Sequence, residues 1–274
     1  MTMTLARPFS PVLAARLLRW SAAAWFVVAA VGQVAFIGFI LAFYAVRTLT
    51  GNFAAWNDKP LIDGYIAGDR SGNLVFAAHV LLASVVTLAG LIQMLPWVRR
   101  RRPRAHRLLG RAFLIIACVM ALSGAWLVLV RGSYLSQVSS VAILGNGALI
   151  LVFSSLAWRR AVQRRFDEHR LWAMRSFMVV SGVWFLRVGL MGWVLLNHGP
   201  VGMTDDMSGP ADTAMTFGSY LIPLALLEVY RIAGRGGAAA IKLGGALLLA
   251  LATLYTAVGV FGAVAMMWAP YVFR

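Results

Sequence analysis

The sequence predicts an all-α fold, a polytopic membrane helix bundle of about seven transmembrane helices, and three observations carry that expectation. Hydrophobic residues make up 61% of the 274 and charged residues 12%, and the mean hydropathy is +0.80. Apolar stretches recur along the chain, each long enough to cross about 30 Å of hydrocarbon at about 1.5 Å per residue. Basic residues gather in alternate connections between those stretches. A soluble domain is excluded by this composition. The net charge of +16 would point to nucleic acid in a soluble protein. Here it sits in short connections between spans, where positive-inside bias accounts for it, so no nucleic-acid partner is expected.

The chain opens with MTMTLARPFSPVLAARLLRW, which has the charged start of a signal peptide. The uncharged run at 21–46 is too long for a cleaved signal and reads as a first span. Further spans are expected at 73–98, 112–130, 135–157, 172–196, 216–230 and 243–267, all in one integral membrane domain over 1–274. The sixth is short and contains Pro223 and Glu228, so a tilted or re-entrant segment is its alternative reading.

The connection after the second span carries Arg99, Arg100, Arg101, Arg102, Arg104, Arg107 and Arg111. With the amino terminus inside, this connection falls inside with Arg7, Arg16, Arg19 and the basic residues around the fourth and sixth connections, nineteen of the 25 in all. Only Arg47, Lys59, Arg70, Arg131 and Arg274 fall outside, and Arg187 lies within a span. The expected topology is therefore amino terminus inside and carboxyl terminus outside, in the cytoplasmic (inner) membrane of a bacterium, with anionic lipids as partners of the basic face. Trp20, Trp97, Trp158 and Trp172 fall at inner boundaries and Trp193 and Trp268 near outer ones, as interfacial rings do.

The single Cys118 lies in an apolar run and offers neither a disulfide nor a thiolate metal site. The outer segments 51–72 and 197–213 contain Asp58, Asp63 and Asp69, and His198, Asp205, Asp206 and Asp212, among turn-forming residues. They read as irregular loops without the ligand periodicity of a calcium site.

Candidate chemistry lies in polar groups within or at the edge of the spans, since such groups face a protein interior or a cavity. Arg187 sits roughly 13 Å from the outer end of the fifth span, too deep to snorkel outward. His79 and Gln93, fourteen residues apart, share one face of the second span. His106 and His169 each stand at the inner start of a helix, and His169 and Arg187 are five turns apart on an ideal helix. Two polar layers are expected: an inner one of Gln93, His106 and His169, and an outer one of His79 and Arg187 with His198 in reach.

With HRLLGR at 106–111, HRLWAMRS at 169–176, His79, Gln93 and Arg187, the chain resembles the bacterial multi-span family called domain of unknown function 2306. The likeness covers about 52–230 and leaves out the first and last spans. It implies a membrane location and a polar site without naming a substrate.

Two functional readings stay open. One is a b-type haem protein for electron transfer, with His106 and His169 as the iron ligands and haem b as cofactor. The other is a carrier or receptor for a small or lipid-like ligand, with Arg187 and His79 in a polar pocket between helices. A membrane zinc hydrolase is disfavoured, because the histidines divide between depths and no mid-span carboxylate stands ready as a base.

Overall fold

A computed structural model describes residues 10–59 and 62–273. Arg7 and Arg274, which enter the charge argument above, lie outside the described residues.

The first helix, α1 (Pro11–Phe39), starts with proline at N1, where the missing N–H costs no hydrogen bond. It runs through a π-helical stretch, Ile40–Ala45, into α2 (Val46–Leu49). After a 3₁₀ turn (Phe53–Asp58) comes α3 (Arg70–Met94), capped by the Asp69 carboxylate accepting from Gly72 N–H. Pro96 and Pro103 forbid a continuous helix there and divide the basic segment into a short helix, α4 (Pro96–Arg101), and the start of α5 (Pro103–Leu129). The arginine-rich segment is thus largely helical.

The capping box of Ser136 and Ser139 opens α6 (Gln137–Val162). Next are α7 (Phe166–Val180), α8 (Gly182–Leu196), α9 (Pro210–Arg235) and α10 (Ala239–Gly262). A second π-helical stretch (Ala263–Trp268) and α11 (Ala269–Val272) close the chain.

Six of these helical stretches are long and apolar enough to cross a membrane alone, and α7 with α8 makes a seventh when the two count as one span. The fold is all-α, as the composition led one to expect, and the described residues contain no strand. The sixth expected span is not short: α9 has 26 residues, with Pro223 held inside it.

The fifth differs from expectation, because α7 and α8 meet at Ser181 with a 51° bend. The bend breaks the ideal helix on which His169 and Arg187 share a face. Its freed polar groups are met from distant helices, as buried backbone requires. Gln33 of α1 donates to Ser181 Oγ at 3.2 Å, and Asn146 of α6 donates to the Val179 carbonyl at 3.1 Å.

Around the bundle, α3 packs on α5, α5 on α6, α6 on α7, α8 on α10 and α10 on α1, while α9 touches α6, α7, α8 and α10. Small residues allow the closest approach, as they do between helices in lipid. A Cβ on Gly259 of α10 would lie 2.2 Å from the Val188 carbonyl oxygen of α8, and one on Gly32 would lie 2.7 Å from Trp184. Interhelical hydrogen bonds from Trp25 to Thr256 (3.1 Å) and from the Tyr255 hydroxyl to the Gly189 carbonyl (2.8 Å) fasten the same seam.

The acidic residues of the connections serve structure. Asp69 accepts from the buried Arg131 at 2.9 Å, and the same guanidinium donates to Gly64 O (3.1 Å) and Asn73 Oδ1 (2.8 Å). Asp212, 1% exposed, accepts from Thr204 N–H, while Asp206 accepts from Thr204 and Ser208. Hydrogen bonds of Thr204 and Ser208 lower the Asp206 pKa.

Candidate functional site

The polar groups at the arginine-rich end come together on three helices. Gln93 lies in the last turn of α3, beside the break that Pro96 imposes. His106 lies in the first turn of α5, and Gly110, four residues on, shares its face. A Cβ on Gly110 would stand 3.1 Å from Gln93 Oε1, so the missing side chain is what lets the Gln93 amide lie against α5. His169 lies in the first turn of α7, after Asp167 and Glu168, which suit the positive end of the helix dipole.

His169 Nδ1 is 2.9 Å from the carbonyl oxygen of Ala157 on α6. A carbonyl only accepts, so Nδ1 is the donor here, and in the neutral ring Nε2 is then the atom with the lone pair. His106 lies within electrostatic reach of both His169 and Arg99. Two polar atoms of this group, Gln93 Nε2 and His106 Nδ1, are buried without a hydrogen-bond partner. Each such atom costs about 1–3 kcal/mol where nothing satisfies it, and the two lie at one junction of α3, α5 and α7.

Ion pairs frame the cluster. Glu168 bridges Arg160, at 3.0 Å, and Arg165, and Glu228 of α9 bridges Arg175, at 2.7 Å, and Arg231. Arg175 also lies 4.6 Å from the Trp172 ring centroid. These pairs neutralise part of the basic surface and tie α7 to α6 and to α9.

The outer layer assembles differently. His79 of α3 is bonded through Nδ1 to Ser123 Oγ of α5 at 2.8 Å, and no described contact joins it to Arg187. Arg187 donates to the Val183 carbonyl one turn back at 2.9 Å and stands 5.3 Å from the Phe36 ring centroid of α1. His198 lies in the connection after α8 at φ 56°. Tyr44, Lys59 and the bend at Ser181 were not singled out by sequence. The solitary amides Gln33 and Asn146 inside apolar runs were the available signal for the bend. Among the described residues no group of three or more His, Cys, Asp or Glu side chains is placed to hold a metal ion.

Helices of spanning length, joined by polar bonds and small-residue seams around a polar cluster, define a multi-pass membrane protein. Residues 76–229, more than half of the chain, match the family model described as "Predicted membrane protein (DUF2306)", and the chain belongs to that family. The match runs from α3 to α9, so α1 and α10, which pack on each other, lie beyond it. Neither the curated proteins nor the solved structures give a match to this chain.

Proposed function

We propose that this multi-pass membrane protein binds a small or lipid-like ligand at the Gln93, His106 and His169 cluster. The observation that carries the reading is the pair of buried, unpartnered atoms, Gln93 Nε2 and His106 Nδ1, beside an imidazole whose Nε2 has the lone pair in the neutral ring. The Gln93 amide donor suits an oxygen acceptor on a headgroup, the His169 Nε2 lone pair suits a hydroxyl or other donor on it, and the apolar flanks of α3 and α5 suit an apolar tail. Protein purified in mild detergent should carry such a molecule through extraction and mass spectrometry. Gln93→Ala and His106→Ala should each reduce its occupancy about tenfold, as expected for about 1.4 kcal/mol. Equal recovery from wild type and both variants would refute the assignment.

A second reading is haem b held by His106 and His169, favoured by the Nδ1 to carbonyl bond that orients His169 as axial ligands are oriented. The group would supply one-electron transfer when bound. Against it, the space beside Gly110 is taken by the Gln93 amide rather than left for a flat ring. Absorption decides between the two: a low-spin Soret band lost in His106→Ala and His169→Ala supports haem, and colourless folded protein removes it.

The chain is proposed to lie in a bacterial inner membrane with its arginine-rich end in the cytoplasm, against anionic lipid, and its carboxyl terminus outside. A fusion after Arg274 should therefore be active with a reporter that works only outside the cytoplasm. Activity from a cytoplasmic reporter alone at that position would contradict this orientation.

A further inference from the structure

The end of the bundle opposite the arginine-rich segment has a second polar centre, built on cations rather than on an amide and imidazoles. An aromatic cluster fills it, with Phe36, Phe39, Phe43, Tyr44, Trp56, Trp184 and Trp268 all buried. Both π-helical stretches, Ile40–Ala45 and Ala263–Trp268, contribute to it, and such widened turns are frequent at functional sites. Trp268 lies 5.4 Å from Phe36, the ring that also holds Arg187 at 5.3 Å.

One cation, Arg187, lies over this cluster, and a second, Lys59, is near enough to interact with it, and neither is paired with an anion. Arg187 has as its described hydrogen bond only the Val183 carbonyl, and Lys59, half-buried, lies close enough to feel its charge. Neither has a carboxylate within ion-pair distance among the described residues; Asp58, next to Lys59 in sequence, is taken by Arg47 at 3.4 Å. Burial, and then the Arg187 charge, push the Lys59 ammonium down to about 8. Two like charges in a partly desolvated space repel, and an anion between them reverses the sign of that cost.

The unpartnered buried atoms of this end agree. Trp56 Nε1, Trp184 Nε1, Trp268 Nε1 and Arg47 Nε are all donors. Buried polar atoms are normally satisfied, and these four donors outnumber the one unpartnered acceptor near them, Gln33 Oε1, so what is chiefly missing is an acceptor. Trp184 lies three residues before Arg187 on α8, so the two side chains are neighbours on the helix surface.

We infer that Arg187, over the aromatic cluster of Phe36, Tyr44, Trp184 and Trp268, and Lys59 near it form a binding site for an oxyanion of carboxylate or phosphate type. The guanidinium offers paired donors to such a group, the ammonium adds charge, and the rings face an apolar body attached to it. Tyr44, buried in the same cluster, stands within electrostatic reach of Arg187. None of these residues belongs to the Gln93, His106 and His169 cluster, so this site and that one can fail separately.

The test uses the full chain in a mild non-ionic detergent and reads tryptophan fluorescence, since Trp184 and Trp268 lie in the site. One arm titrates sodium phosphate against sodium chloride at equal ionic strength. The other titrates phosphatidylglycerol against phosphatidylcholine in mixed micelles. A saturable change in either arm, weakened at least tenfold in both Arg187→Gln and Lys59→Met, is the expected result; a response to phosphatidylglycerol alone assigns the oxyanion to a lipid headgroup, and a response to phosphate assigns it to a free ion. No response beyond the controls in both arms, or a Lys59→Met protein that binds as wild type does, overturns the inference. Lys59 lies in a connection between helices, so its variant decides the matter even where Arg187→Gln does not fold.

Discussion

Arg131→Ala is expected to cost about 1–3 kcal/mol, because it takes a buried guanidinium from the Gly64 carbonyl, Asn73 Oδ1 and Asp69, while Ile66 N–H stays on Asn73 Oδ1 and Gly72 N–H stays on Asp69. The guanidinium side chain is 2% exposed and holds Asp69, Asn73 and the Gly64 carbonyl at once, joining the end of α5 to the cap of α3. It also lies 5.5 Å from the Phe76 ring centroid. Thermal unfolding in detergent, followed by tryptophan fluorescence, should show a midpoint several degrees lower. Arg131→Lys should recover only part, since an ammonium cannot reproduce the planar fork. The Asp69 carboxyl lies below its ordinary 3.8, chiefly through the Gly72 N–H and then through Arg131. A carboxylate depressed in the folded state adds stability above its unfolded value and loses it as pH falls through the folded one. The midpoint of wild type should therefore drop below about pH 4, and less steeply in Arg131→Ala. An unchanged midpoint and pH profile would contradict this account of the α3 cap.

Gly259→Leu should be as severe. The first carbon of any side chain at this position would lie 2.2 Å from the Val188 carbonyl oxygen and 2.7 Å from Val188 Cγ1. The closest of these atoms is backbone, so α10 must move off α8 and the seam fastened by Tyr255 and Gly189 must open. Overpacking of this kind costs about 1–3 kcal/mol, and here the helix shift adds the loss of that hydrogen bond, about 1 kcal/mol more. Gly244→Leu on the same helix is the matched control: nothing lies within 4 Å of a Cβ there, so a change below about 0.5 kcal/mol is expected. Equal midpoints for the two variants would show that the seam is not held as described.

The spans were legible because each must hide a polar backbone from lipid, which forces long apolar runs with charges only at their ends. What periodicity could not reveal were the points where distant residues meet. Ser181–Gly182 sits in an apolar run without proline, and the groups that satisfy its bend, Gln33 and Asn146, come from α1 and α6. His79 and Arg187 have similar depth in the sequence, but depth leaves azimuth open: one turns to Ser123, the other to Phe36. At the inner end, depth served better, since both HR motifs begin helices and α5, α6 and α7 pack in series. The Gln93 to Gly110 contact depends on an absent side chain, which composition does not reveal. Lys59 reads in sequence as one more solvated loop charge, and only its closeness to Arg187 marks it out.

Ligand binding at the Gln93, His106 and His169 cluster is best tested by an electron cryomicroscopy map of the full chain in a lipid nanodisc, at a resolution that shows side chains. Non-protein density is expected at the junction of α3, α5 and α7, within hydrogen-bond distance of Gln93 Nε2 and of a ring nitrogen of His106. A closed junction in which Gln93 and His106 bond to each other, or to ordered water alone, would contradict it.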